Sequence, residues 1–112
     1  MTRIISFAWT APALLAGAKT VTRRAWNDRF AGTFREGEVL QAWDKVPFAG
    51  GKPIATIRLT RAPYREALGD IPAADWYAEG FDYMEREGLS CDGLHPRDFW
   101  ARWIDAPHEE LW

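Results

Sequence analysis

Two glycines, Gly50 and Gly51, interrupt a stretch of strand-forming residues between positions 38 and 59. Residues 38–44 and 53–59 lie on either side of them, and in the second segment polar and apolar residues alternate, which is typical of a half-buried strand. Glycine tolerates the backbone conformations of a tight reversal. The sequence therefore predicts two antiparallel strands joined by a short turn.

The remaining sequence of the first half of the chain predicts short strands and helices. Residues 3–7 are apolar enough for a buried strand, and residues 13–16 are expected to form a helix that ends at Gly17. The β-branched residues after Lys19 predict a second strand there, and residues 26–34 a short helix.

The second half is predicted to be helical. Residues 72–79, followed by Gly80, and Pro96–Ile104 each have proline near the start of a helical pattern. Strands in the first half and helices in the second indicate an α+β domain. At 112 residues, the chain is long enough for one domain and one core, so residues 1–112 are predicted to form a single unit.

Composition limits the possible functions. The chain has one cysteine, Cys91, and lacks the run of about 18 apolar residues that a membrane span needs, so a cytoplasmic protein without membrane association is expected. Cys91 and His95 are too few ligands for a structural metal site, and no metal or cofactor is expected. Asp75 and Glu79 would share a helix face, where paired carboxylates are usually inert.

Charge is distributed unevenly along the chain. Residues 1–35 contain six Lys or Arg and one acidic residue, whereas residues 36–112 contain eight and fifteen. A basic face for long duplexes is therefore not expected, but a local positive site for a small ligand or a few nucleotides is compatible with this pattern.

The densest group of chemically versatile residues is 17–24 (GAKTVTRR), with three cations and two hydroxyl groups after a helix and a glycine. Arginine supplies forked donors, lysine a movable charge, and threonine both a donor and an acceptor. The segment suits an oxyanion or the edge of a nucleobase. An ordinary solvated strand would have a similar composition, so both interpretations stay open.

Four stretches in order, 5–7 (ISF), 14–24 (LLAGAKTVTRR), 34–39 (FREGEV) and 78–81 (AEGF), resemble the ASCH-domain family over about residues 4–104. The resemblance implies a PUA-like fold, a small β-barrel with flanking short helices and a cleft for RNA or modified nucleosides. Some members are amidohydrolases that deacetylate N4-acetylcytidine with a Lys, a Thr and a Glu. By motif position these are Lys19, Thr22 and Glu79.

In that scheme Thr22 is the nucleophile, Lys19 its base and Glu79 a proton shuttle. A lysine base needs a pKa well below its usual value of about 10.4, and burial with nearby Arg23 and Arg24 would lower it. Either arginine could bind substrate or stabilise an oxyanion. In a regular strand Lys19 and Thr22 would face opposite sides, so the scheme requires a turn or bulge that brings the three groups within about 4–6 Å.

Aromatic residues offer faces on which a base can stack. The candidates are Trp9, Trp26 and Tyr64, although core packing is the commoner role of tryptophan. The expected partner is a nucleoside or single-stranded RNA. The alternative to a hydrolase is a non-catalytic binding module for RNA or a modified base, and a ribonuclease has less support because no histidine pair is evident. ASCH domains generally end with a further strand, of which residues 110–112 would form only a short part.

Overall fold

The computed structural model of the chain describes residues 2–112. Its main sheet has three strands in the order β1 (Ile4–Ser6), β2 (Val39–Trp43) and β3 (Pro53–Arg58). Strands β2 and β3 are antiparallel, which confirms the predicted strand pair, and β1 is parallel to β2. The predicted short turn is wrong, because residues 44–52, with a 3-10 helix at Pro47–Ala49, connect β2 to β3. The register of the β2–β3 pair shifts between Ala42 and Trp43.

Five short helices surround this sheet: α1 (Ala11–Leu15), α2 (Asp28–Ala31), α3 (Asp75–Ala78), α4 (Phe81–Arg86) and α5 (Pro96–Ile104). The bounds of α5 are the predicted ones. Helix α3 is shorter than the predicted helix over 72–79, and α4 was not predicted. The chain can restart a helix so soon after α3 because Gly80 adopts a left-handed φ of 89° between them.

The prediction of a strand from Lys19 to Thr22 is wrong. This segment forms no strand, because its backbone is bonded to the end of a helix. The amides of Thr20 and Val21 both donate to the carbonyl of Ala78, at 2.7 and 3.1 Å. Strict alternation of side chains is therefore not imposed on Lys19 and Thr22.

A second, two-stranded sheet pairs β4 (Glu66–Ala67) with β5 (Glu110–Leu111). Immediately after β5, Trp112 exchanges two backbone hydrogen bonds with Arg24, at 2.8 and 2.9 Å. Within residues 2–112 the strands form these two separate sheets and no closed barrel. The predicted α+β class is confirmed at this level.

Two apolar clusters form the interior. The first covers one face of the main sheet and includes Ile5, Phe7, Phe34 and Leu40. The second lies among the helices around Phe81 and contains most of the tryptophans, namely Trp9, Trp76, Trp100 and Trp103. Helix α1 contributes Ala11 to the first cluster and Ala13 to the second, so the segment after it runs along their boundary.

No helix in the described part of the chain is long and apolar enough to span a bilayer.

Candidate functional site

A cleft of about 490 Å³ opens along the segment that follows α1. Its volume lies within the range of small-molecule binding sites, roughly 300–1,000 Å³. One wall is formed by residues 19–24, another by the main sheet and the chain leaving β3, and a third by the end of β5. The residues lining it are Ile5, Phe7, Leu14, Lys19–Arg24, Trp26, Ile57–Tyr64, Glu66, Leu111 and Trp112.

The backbone after α1 is fixed at several points, which determines where its side chains lie. Gly17 has a φ of 75°, and the amides of Ala18 and Lys19 both donate to the carbonyl of Ala13. Gly80 faces this turn. A Cβ at Gly80 would lie 2.7 Å from Cβ of Ala13 and 3.3 Å from Cβ of Lys19, so only glycine allows this close approach.

Lys19 and Glu79 form a buried ion pair. Nζ of Lys19 donates to Oε2 of Glu79 at 2.8 Å and to its backbone carbonyl at 3.2 Å, and each side chain is 3% exposed. Burial lowers the pKa of Lys19 below its ordinary value. The charge and hydrogen bond of Glu79 oppose this shift, whereas the positive charges of Arg24 and Arg23 add to it.

Arg23 is held by three carboxylates. Its Nη1 donates to Glu79 at 2.9 Å, and its Nη2 donates to Glu66 at 3.0 Å and to Asp75. Burial alone would lower the pKa of Arg23, but its hydrogen bonds to Asp75 and Glu66 and the charge of Glu79 raise the pKa overall. Arg23 therefore stays charged, and its donors are occupied by the protein itself.

Arg24 has different contacts. Its Nη1 donates to the carbonyl of Ser6 at 2.6 Å, its Nε donates to Oγ1 of Thr22 at 3.1 Å, and its guanidinium carbon lies 4.9 Å from the centre of the Phe7 ring. Among residues 2–112 no carboxylate forms an ion pair with Arg24. Burial lowers its pKa, with partial compensation from the charge of Glu79. The cleft wall thus contains a half-buried cation without a direct counter-ion.

The three residues expected to catalyse are brought together in part. Lys19 and Glu79 are in direct contact, and Thr22 lines the same cleft as Lys19. Within the described residues, however, the Thr22 hydroxyl is hydrogen-bonded to Arg24 and to neither Lys19 nor Glu79. Thr22 is therefore connected to the site through Arg24.

Two of the three candidate stacking residues line the cleft. Tyr64 is 47% exposed, and the guanidinium of Arg61 lies 4.2 Å from its ring centre. Trp26 also lines the cleft, although Phe34 stacks on one face of its ring at 4.6 Å. Trp9 does not reach the cleft, because it packs against Phe99 at 4.9 Å in the second cluster.

The sequence reasoning missed part of the site. Glu79 was expected as a catalytic residue from the family resemblance, but its pairing with Asp75 was expected to be inert, whereas both carboxylates accept hydrogen bonds from Arg23. Their spacing of four residues on a helix was the available signal. The sequence did not indicate that Glu66 and Trp112 belong to the site, because their contacts with Arg23 and Arg24 depend on the second sheet.

No group of three or more His, Cys, Asp or Glu within residues 2–112 is arranged to hold a metal ion.

Comparison of the chain with protein-family models, curated proteins and solved structures finds no match.

Proposed function

We propose that this chain is an ASCH-type domain whose cleft binds a cytidine-type nucleoside or RNA and hydrolyses an amide on the N4 atom of the base. The observation that carries the proposal is the buried Lys19–Glu79 ion pair behind a cleft that Lys19, Thr22 and Arg24 line. An amine, an alcohol, a carboxylate and a guanidinium are together sufficient for acyl transfer without further groups.

In the first step, Oγ1 of Thr22 attacks the carbonyl carbon of the amide, and the neutral amine of Lys19 accepts the hydroxyl proton. The carbonyl oxygen becomes an oxyanion, which the guanidinium of Arg24 stabilises. The C–N bond then breaks. Glu79 passes the proton from the Lys19 ammonium to the departing cytosine amine, and the acyl group stays on Thr22 as an ester until water hydrolyses it.

The charge arrangement supports these roles. A threonine hydroxyl is a weak nucleophile unless its alkoxide is favoured, and the charge-assisted hydrogen bond from Arg24 to Oγ1 has that effect. The lowered pKa of Lys19 increases the fraction of neutral amine available as a base.

The fold that goes with this proposed function is a PUA-like barrel whose open end is the cleft. The support is that the cleft lies between the main sheet and the β4–β5 pair, and that Trp112 and Arg24 extend backbone pairing beyond β5. A further pairing across the cleft would be needed to close a barrel.

A non-catalytic binding module is the second candidate. The observation in its favour is that the Thr22 hydroxyl bonds to Arg24 rather than to Lys19. In such a module Arg24 would contact the polar edge of a base, and Tyr64 would stack on its face.

The deciding experiment is incubation with N4-acetylcytidine and measurement of cytidine release. We expect turnover by the natural chain, loss of turnover for Thr22→Ala, and partial activity for Thr22→Ser, which keeps the hydroxyl. Binding of the nucleoside without turnover would select the binding module. Undiminished turnover by Thr22→Ala would eliminate Thr22 as the nucleophile.

A further inference from the structure

The cleft is more positive than its proposed reaction requires. The charged side chains that line it are four arginines, one lysine and one carboxylate: Lys19, Arg23, Arg24, Arg58, Arg61 and Glu66. The carboxylates of Glu79, Asp75 and Glu66 are engaged with Lys19 and Arg23. Within the described residues, Arg24, Arg58 and Arg61 form no ion pair, so excess positive charge remains in a protein whose net charge is −2.

The three remaining arginines differ in position. Arg24 lies beside Thr22, where the reaction uses it for the oxyanion. Arg58 donates to the carbonyl of Gly37, so its guanidinium is already bonded to the protein. Arg61 lies over the exposed ring of Tyr64. It is the arginine available to a ligand next to an aromatic face.

We propose that the ligand of this cleft carries a phosphate, with Arg61 binding the phosphate while Tyr64 contacts the base. The nature of the base rests on the proposed function, whereas the phosphate follows from the charge of the cleft. A neutral nucleoside would engage Arg24 alone and leave Arg61 without an anion. A guanidinium offers paired donors that match phosphate oxygens, and excess charge in a cleft raises the local concentration of anions.

The phosphate has two possible sources: the 5′-phosphate of a mononucleotide or the phosphodiester of single-stranded RNA. The test therefore compares N4-acetylcytidine, its 5′-monophosphate and a trinucleotide with N4-acetylcytidine at its centre. We expect the monophosphate to exceed the nucleoside in kcat/KM by about tenfold, as one charge-assisted contact allows. A further increase with the trinucleotide would identify RNA as the source, and no increase would identify the mononucleotide.

Arg61→Ala is expected to reduce the ratio of the two kcat/KM values, monophosphate to nucleoside, to near one. Arg102→Ala is the matched control, because it removes one positive charge from an exposed position of α5 that does not line the cleft. It should leave the ratio at about tenfold. Equal kcat/KM for both substrates in the natural chain, or the same ratio after Arg61→Ala, would overturn the proposal.

Binding of ligands that the protein cannot hydrolyse tests the phosphate site separately from the proposed hydrolysis. Cytidine 5′-monophosphate and cytidine have no amide to cleave, and tryptophan fluorescence can report their binding because Trp26 and Trp112 line the cleft. A chain that lacks hydrolysis but binds the monophosphate about tenfold more tightly, with the preference lost in Arg61→Ala, would retain the phosphate site and lose only the reaction.

Discussion

Arg23 and Arg24 are neighbours in the sequence, but their guanidinium groups lie in different surroundings. Arg23 points into a buried ion network with Glu79, Asp75 and Glu66, and its side chain is 5% exposed. Arg24 lies in the cleft wall, bonded to a carbonyl and a hydroxyl. Arg23 is neutralised by carboxylates of the protein, whereas Arg24 forms no ion pair within residues 2–112.

The difference arises because residues 19–24 separate two environments. On one side, α3 supplies Asp75 and the residue after it is Glu79, which brings carboxylates to Lys19 and Arg23. On the other side, the end of β1 supplies the carbonyl of Ser6 and the ring of Phe7 to Arg24, without a carboxylate. We therefore expect the ion network to stabilise the fold around the cleft and the side chain of Arg24 to give the cleft wall its polarity.

The strongest test of this comparison is Arg23→Leu. The change leaves Glu79, Asp75 and Glu66 without their shared cation, and removal of one partner from a buried ion network typically costs about 3–5 kcal/mol of unfolding free energy. Arg24→Leu is the matched control. Arg24→Leu should lower the free energy of unfolding by no more than about 1 kcal/mol. The lost hydrogen bonds destabilise the fold, but an unpaired charge no longer has to be buried. Urea denaturation of both variants measures the difference.

Equal costs for the two variants would contradict the division of roles. A larger cost for Arg24→Leu would mean that the bond to Ser6, rather than the ion network, holds this segment in place.

Hydrolysis should be reduced more by Arg24→Leu than by Arg23→Leu, which is the reverse of the order expected for stability. Arg24→Leu removes the donor to the Thr22 oxygen and, in the proposed reaction, to the oxyanion, and loss of one oxyanion donor commonly lowers kcat by about 10²–10³. The measurement is steady-state hydrolysis of N4-acetylcytidine by folded protein. A decrease in kcat smaller than about fivefold would contradict a role for Arg24 at the reacting atoms.

The pH dependence of kcat is a second, independent test of the Arg24→Leu variant. In the proposed reaction Lys19 acts as a base when deprotonated, so kcat should rise with pH through the pKa of Lys19, which burial places below its ordinary value. The charge of Arg24 helps to lower that pKa. In Arg24→Leu the rising limb should therefore move to higher pH. A limb that stays in place would indicate that a group other than Lys19 is titrating.

Local patterns in the sequence predicted the elements that depend on neighbouring residues. The β2–β3 hairpin follows from alternation around Gly50 and Gly51, and Pro96–Ile104 follows from helical spacing after a proline. The segment 19–24 was identified as the candidate site from its composition, and it does line the cleft.

The features that were missed depend on contacts between distant parts of the chain. The strand predicted after Lys19 did not form because the carbonyl of Ala78 accepts two of its amides. The different surroundings of Arg23 and Arg24 have the same origin, since Glu66 and Asp75 are 43 and 52 residues from Arg23. The local sequence makes Arg23 and Arg24 equally good candidates for the site, and only their tertiary contacts show which of them is paired with carboxylates.

The smallest effect is expected where an arginine has comparable partners at the surface. Arg65 pairs with Glu110 at 2.8 Å and with Asp28 at 3.3 Å, but its side chain is 52% exposed. Exposed ion pairs contribute about 0–1 kcal/mol, because water screens the charges and ordering the side chains costs entropy. Arg65→Ala should therefore lower the free energy of unfolding by less than about 1 kcal/mol under the same urea denaturation used for Arg23→Leu. A loss close to that of Arg23→Leu would mean that the number of carboxylate partners, and not burial, sets the contribution of an arginine in this fold.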